Sequence, residues 1–319
     1  MDISQIAEGL ESIKDCVETD YSKVERMYSI ASNTCFLDSC FISHCSINEK
    51  TSEVAVLALK DCFTSEESIF VISSLVLYEL QGEPNVPIDD KYKVFFKKMQ
   101  QNSMQIVFIK EEDIIRLVDS VIDLSVTNRN AIFADIYQNL IECLTKVSKV
   151  LDRSVYKDYI YKDLSIPDDD DFVEGYFIYC RDKKQNEDSL AENLLAHVML
   201  YQLKTLNFDE RKVILLTDDV SAVGSFALTE LRVYLYNGMF SSINSITLLS
   251  HHCNVKSLYN DFHEFETHIC TIQQNYRALA CLSDKYDSIC YKQISAHDLA
   301  QKIWDGHKIV YPSYNTREH

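Results

Sequence analysis

Residues 34–42 read Thr34-Cys35-Phe36-Leu37-Asp38-Ser39-Cys40-Phe41-Ile42, and the fold follows from how the first five are taken. An apolar run this short, closed by an acid, reads as a buried strand whose carboxyl end carries Asp38. Ile69-Phe70-Val71-Ile72 repeats the pattern and passes into a helix that contains Glu79 and stops at Gly82 and Pro84. Ile106–Ile109, Val213–Thr217 and Ile246–Leu249 are further strand candidates. Helical patterns stand between them, at Ser52–Phe63, Asn130–Leu151, Asp188 to about Leu203, and Asp219 to about Tyr236. Apolar strands alternating with helices imply an α/β fold with a central parallel sheet of about four or five strands, covered by helices on both faces.

Outward from that sheet, the chain divides into three regions. Residues 1–30 form a helical extension, because Ile3, Ile6, Leu10, Ile13, Val17, Val24 and Met27 recur at the spacing of one helix face. Residues 31–250 hold the sheet, interrupted by an expected insertion at about 82–185 that includes a Lys-rich amphipathic segment and a loop near the acidic run Asp168–Asp171. Residues 251–319 read as a helical extension with a polar end.

Composition narrows the class. The chain has 319 residues, 46% apolar and 25% charged, with Gly 6 and Pro 4; so few breakers, against roughly 12% in average usage, mean long elements. That apolar content excludes a disordered chain. No apolar run approaches the roughly 20 residues that span a bilayer, and the amino end lacks a secretion-signal pattern. A soluble, cytoplasmic protein without membrane contact is expected. Eleven scattered cysteines without a C-x-x-C pair read as reduced, mostly buried thiols. The formal net charge of −18 repels phosphate backbones as a whole and argues against a sequence-reading DNA binder.

Acids lie where a parallel sheet places functional groups. Asp38 follows the first strand, Glu79 sits on the helix after the second, and Asp219 follows the strand at Val213. Ligands of open α/β sheets bind at the carboxyl ends of strands, so these distant residues can converge. Asp188 and Glu192, four apart near the start of one helix, are alternative fourth members. Crowded carboxylates need a neutralising cation, and an oxygen-only donor set suits Mg2+ or Mn2+. Such ions clamp a phosphate and help generate hydroxide for in-line attack on a phosphodiester.

These motifs resemble the PIN-domain nucleases. Phe36-Leu37-Asp38-Ser39-Cys40-Phe41-Ile42 is similar to the first motif of that family, Val76-Leu77-Tyr78-Glu79-Leu80 to its helical Glu-Leu motif, and Ile214-Leu215-Leu216-Thr217-Asp218-Asp219 to its strand followed by Thr-x-Asp. The likeness covers roughly residues 33–80 and 186–250, in the family's order. It implies a metal-dependent endoribonuclease with Asp38, Glu79 and Asp219 as metal-site acids. The third family acid falls on Asp188 by position or on Glu192 by the pattern Glu192-Asn193-Leu194-Leu195-Ala196. Ser39 and Thr217 would orient carboxylates or the water, and Asp218 would be a further ligand or a helix cap.

Other features carry weaker readings. Lys91, Lys93, Lys97 and Lys98, interleaved with Tyr92, Phe95 and Phe96, form either an RNA-facing ridge or a solvated helix face over core aromatics. With Arg181, Lys183 and Lys184 they would make a basic rim for RNA; alternatively, a basic regulatory protein binds the acidic surface. His251, His252, Cys253, His263, His268 and Cys270 have zinc-ligand chemistry without a zinc spacing. Phosphate-loop and dinucleotide motifs fail for want of glycines. The rival to an enzyme is a catalytically inactive PIN-like module that binds protein or RNA.

Overall fold

The computed structural model describes residues 3–63, 67–143, 151, 168–184, 188–206, 211–219, 222, 240–251, 255–273, 279–283, 289–293 and 295–310. Strands β1 (Asn33–Leu37), β2 (Ser68–Ser73), β3 (Gln105–Ile109), β4 (Lys212–Leu216) and β5 (Phe240–Ile243) form one sheet in the order β3-β2-β1-β4-β5, every pair parallel. Successive residues Cys35, Phe36 and Leu37 are all fully buried, as are the residues of β2. Both faces of the central strands are therefore covered, which is why they read as unbroken apolar runs.

The helices supply the cover. After an amino-terminal turn at Ile3–Ile6 come α1 (Ala7–Glu11) and α2 (Tyr21–Ile30); α3 (Ser39–Cys45) and α4 (Glu49–Cys62) join β1 to β2. Helices α5 (Ser74–Gln81) and α6 (Asp90–Gln101) join β2 to β3. Helices α7 (Glu111–Ile122), α8 (Val126–Cys143), α9 (Phe172–Asp182) and α10 (Leu190–Thr205) precede β4. Among them Phe133 meets Tyr176, Phe177 and His197 in ring contacts, its stack on His197 lying at 3.9 Å. α10 is buried along almost its whole length, so the helix that carries Glu192 is fixed on every side.

Four expectations change. β3 pairs with β2 from Ile69↔Gln105 to Ser73↔Ile109, so the start of the expected insertion is an ordinary crossover. The Lys-rich helix α6 buries Phe95, Phe96 and Met99 within it. Ile246–Leu249 is not a strand but part of α11 (Ser245–His251), and the fifth strand is the polar Phe240–Ile243 just before it. The amino-terminal pattern is broken between α1 and α2, where Glu18 bridges Val107 and covers the edge of β3. The carboxy-terminal region contains α12 (Phe262–Gln273) and α13 (Ala296–Trp304), but also an antiparallel sheet of β6 (Leu279–Ser283), β7 (Ile289–Gln293) and β8 (Ile309–Val310). The helix expected between Asp219 and Tyr236 lies, beyond Ala222, outside the described residues. Among the described residues no helix is long and apolar enough to cross a membrane.

Candidate functional site

The chain passes from β3 at one side of β1 to β4 at its other side, so β1 and β4 flank the point where strand order reverses. A parallel sheet opens a crevice there, outside the carboxyl ends of its strands. The Asp38 N–H donates to the Leu216 carbonyl at 3.0 Å, which brings Asp38 and Thr217 abreast. The Thr217 hydroxyl donates to Asp38 Oδ2 at 2.5 Å and accepts from the Asp219 N–H at 3.0 Å. One buried hydroxyl thus fixes the residues that carry two of the expected acids.

Asp38 also caps α3, its Oδ1 accepting from the Ser39 N–H at 2.8 Å. Oδ2 accepts a second bond from the Cys40 thiol at 2.8 Å. Burial pushes the Asp38 carboxyl up to about 6; the Cys40 and Thr217 hydrogen bonds oppose that rise and repulsion from Glu79 adds to it. Burial, with the Asp38 and Asp218 charges beside it, holds the Cys40 thiol well above its ordinary value, so it is a protonated donor. The sequence reading gave Cys40 no role in the site; its place two residues after Asp38, in the first turn of α3, was the signal.

The Ser39 hydroxyl donates to Glu79 Oε2 at 2.7 Å and ties the second acid to the first motif. Glu79 projects from α5, whose exit is set by Gly82 at a φ of +73°, a conformation side chains resist. Glu192 stands in the first turn of α10. Burial, then repulsion from Asp219 and Asp38, a hydrogen bond with Asp219, and repulsion from Glu79 push the Glu192 carboxyl up to about 9. Glu192 is therefore an electrostatic neighbour of Asp38, Glu79 and Asp219, and Asp38 of Glu79.

Asp188 arrives with a lysine. Lys184 Nζ donates to Glu79 Oε1 at 3.0 Å, to Asp188 Oδ1 at 2.5 Å and to the Asp188 carbonyl at 3.1 Å. Its side chain is 3% exposed. Burial alone would lower the Lys184 pKa, but Glu79 and Asp188 outweigh it and the net shift is upward. Lys184 was expected on a solvent-facing basic rim; the structure puts it inside the acid group.

Arg181 is not on a rim either. It is buried and pairs with Glu111 at 3.0 Å and with Glu112 at 2.5 and 2.6 Å, both acids themselves buried just after β3. Glu111 in turn accepts from the Leu75 N–H at 3.1 Å and the Ser74 hydroxyl at 2.5 Å, at the start of α5. This ionic knot fastens the end of α9, and hence the approach to Lys184, onto the ends of β2 and β3.

Asp218 points away from the acids. Its Oδ1 accepts from the Ser245 N–H and hydroxyl, each at 2.9 Å, and its Oδ2 meets His44 Nδ1 at 2.8 Å. It caps α11. Of the α6 lysines, Lys93 pairs with Asp90 at 2.8 Å, Lys98 with Glu49 at 3.4 Å and Lys91 with Asp89 at 4.0 Å, while Lys97 is exposed. Phe95 and Phe96 are fully buried, so neither offers a stacking platform for a base. His251 contacts the Thr247 carbonyl, His263 pairs with Glu266, and His268 meets the Tyr259 hydroxyl. His252 and Cys253 lie outside the described residues.

All the carboxylate donors in the acid group are oxygens, and burial together with the neighbouring acids disfavours full ionisation of Glu192. That chemistry fits Mg2+ or Mn2+ held by Asp38, Glu79, Glu192 and Asp219. Among the described residues no three or more acid, histidine or cysteine side chains are grouped so that they could hold a metal ion as they stand. The fit is one of donor type and charge. Comparison of the chain with family models, with curated proteins and with solved structures gave no significant match.

Proposed function

We propose that the protein is a Mg2+- or Mn2+-dependent endoribonuclease of the PIN type. The observation that carries the reading is that acids from separate parts of the chain are tied to one end of the sheet: the Thr217 hydroxyl bonds both Asp38 Oδ2 and the Asp219 N–H, and Ser39, next to Asp38, bonds Glu79 Oε2. A divalent ion bound there would supply charge stabilisation at the phosphate and an activated water. The chain's own residues supply placement. Thr217 and Cys40 hold Asp38, Ser39 holds Glu79, and Thr217 sets the backbone of Asp219. No side-chain nucleophile is required, because water attacks phosphorus directly.

RNA must approach a chain of net charge −18. The α6 lysines supply the cationic face for it, since exposed ion pairs of this kind are weak and yield readily to phosphate. A basic regulatory protein on the remaining acidic surface is compatible with the same charge distribution.

One observation favours the rival reading of an inactive binding module: Glu79 and Asp188 are already engaged by Lys184. Cleavage of a mixed RNA pool with Mn2+ separates the two. The enzyme reading expects cleavage by the wild type and loss of about a hundredfold or more in Asp38→Asn and Asp219→Asn, on the scale of losing charge stabilisation in the transition state. Activity surviving both changes, or absent from every form, rejects it.

A further inference from the structure

We propose that Lys184 is the resident counter-charge of the acid group, occupying the place a second divalent ion would take, so that the site accepts one ion per chain. The inference rests on the reading of these carboxylates as a metal site and adds to it a stoichiometry and a division of labour.

The geometry is that of a saturated cation. An ammonium has three protons to donate, and Lys184 Nζ has three oxygen partners, Glu79 Oε1, Asp188 Oδ1 and the Asp188 carbonyl, within 2.5–3.1 Å. With 3% of its side chain exposed, it is not a surface lysine that happens to reach inward. Buried charge is tolerated only where it is paired and hydrogen-bonded, and the knot of Arg181 with Glu111 and Glu112 holds the end of α9 three residues before it.

The two oxygens of Glu79 are divided: Oε1 faces Lys184 and Oε2 faces the Ser39 hydroxyl. Lys184 thus brings to Glu79 Oε1 the positive charge that a second ion would otherwise supply. The other half of the group is different. The hydrogen bonds to Asp38 come from the Ser39 N–H, the Cys40 thiol and the Thr217 hydroxyl, all neutral. One ion belongs with Asp38, Asp219, Glu192 and the Glu79 oxygen that faces Ser39. Asp188 then anchors Lys184, and Glu192 is the third metal-site acid.

Titration of Mn2+ into the full chain, followed by electron paramagnetic resonance of the free ion, counts bound ions without reference to activity. The wild type should bind one ion per chain, Lys184→Met two, and Lys184→Arg one, because the guanidinium restores the charge. Thermal unfolding establishes that each variant is folded; should Lys184→Met not fold, Lys184→Gln, which keeps an amide donor, carries the same expectation. Two ions in the wild type, or one in a folded neutral variant, overturn the inference and leave the metal reading standing. No ion bound by wild type or neutral variant overturns both.

Discussion

The Thr217 hydroxyl donates to Asp38 Oδ2 across 2.5 Å, linking residues 179 apart in sequence at the adjoining ends of β4 and β1. The same oxygen accepts from the Asp219 N–H. Thr217→Val keeps the shape, removes both bonds and leaves buried polar groups short of partners, at a cost of about 1–3 kcal/mol. The urea midpoint should fall accordingly, and Asp38, with one fewer hydrogen bond favouring its charged form, should titrate higher. Thr217→Ser should restore most of both. A valine variant as stable as wild type would remove Thr217 from the account.

Glu192 sets a pH dependence in the metal-free protein. Its carboxyl is raised from an ordinary 4.5 to about 9 in the fold. Between pH 6.5 and 8 it is protonated when folded and ionised when unfolded, so folding takes up a proton. The stabilisation is complete below the unfolded value and fades as pH rises toward the folded one. Stability in EDTA should therefore fall across this window by about 1.4 kcal/mol per pH unit from this group. Glu192→Gln should flatten the slope, and Mn2+ should reverse it in the wild type. A stability that rises from pH 6.5 to 8 in EDTA would contradict this environment.

Arg181 neutralises two buried carboxylates. Removing one partner of a buried ionic group strands the others, so Arg181→Met should destabilise by about 3–5 kcal/mol in denaturant unfolding. The triple change Arg181→Met, Glu111→Gln, Glu112→Gln should cost less than the single one. A single variant near wild type in stability would show that the knot is solvated.

Replacing Lys91, Lys93, Lys97 and Lys98 by Glu should weaken RNA binding and lower its salt dependence, by about 0.7 in the log–log slope for each lost phosphate contact with a single strand. Filter binding across a salt series reads both. Unchanged affinity and slope would assign these residues to a solvated helix face alone.

The sheet was legible because its central strands are buried on both faces: Phe36, Val71, Val107 and Leu215 sit in continuous apolar runs that match β1 to β4. β5 was not, since Phe240-Ser241-Ser242-Ile243 has a polar middle, whereas Ile246–Leu249 is apolar through its length. Short apolar runs do not distinguish a buried strand from a buried helix. What decides here is capping: Asn244 accepts from the Thr247 N–H at 2.6 Å, and Asp218 from Ser245. The placement of Asp38, Glu79 and Asp219 about one end of the sheet was legible because each follows a strand directly or sits on the helix after one. Lys184 was not, for its partner Glu79 is 105 residues away and charge alone does not distinguish a rim lysine from a buried one.

The central claim is that carboxylates from separate parts of the chain serve one divalent ion. Isothermal titration of Mn2+ into wild type, Asp38→Asn, Glu79→Gln and Asp219→Asn tests it most directly. Each single change should weaken the same binding event at least tenfold while the variant remains folded. An ion bound with wild-type affinity after Asp38 or Asp219 has lost its charge, or no ion bound by the wild type, would contradict the account.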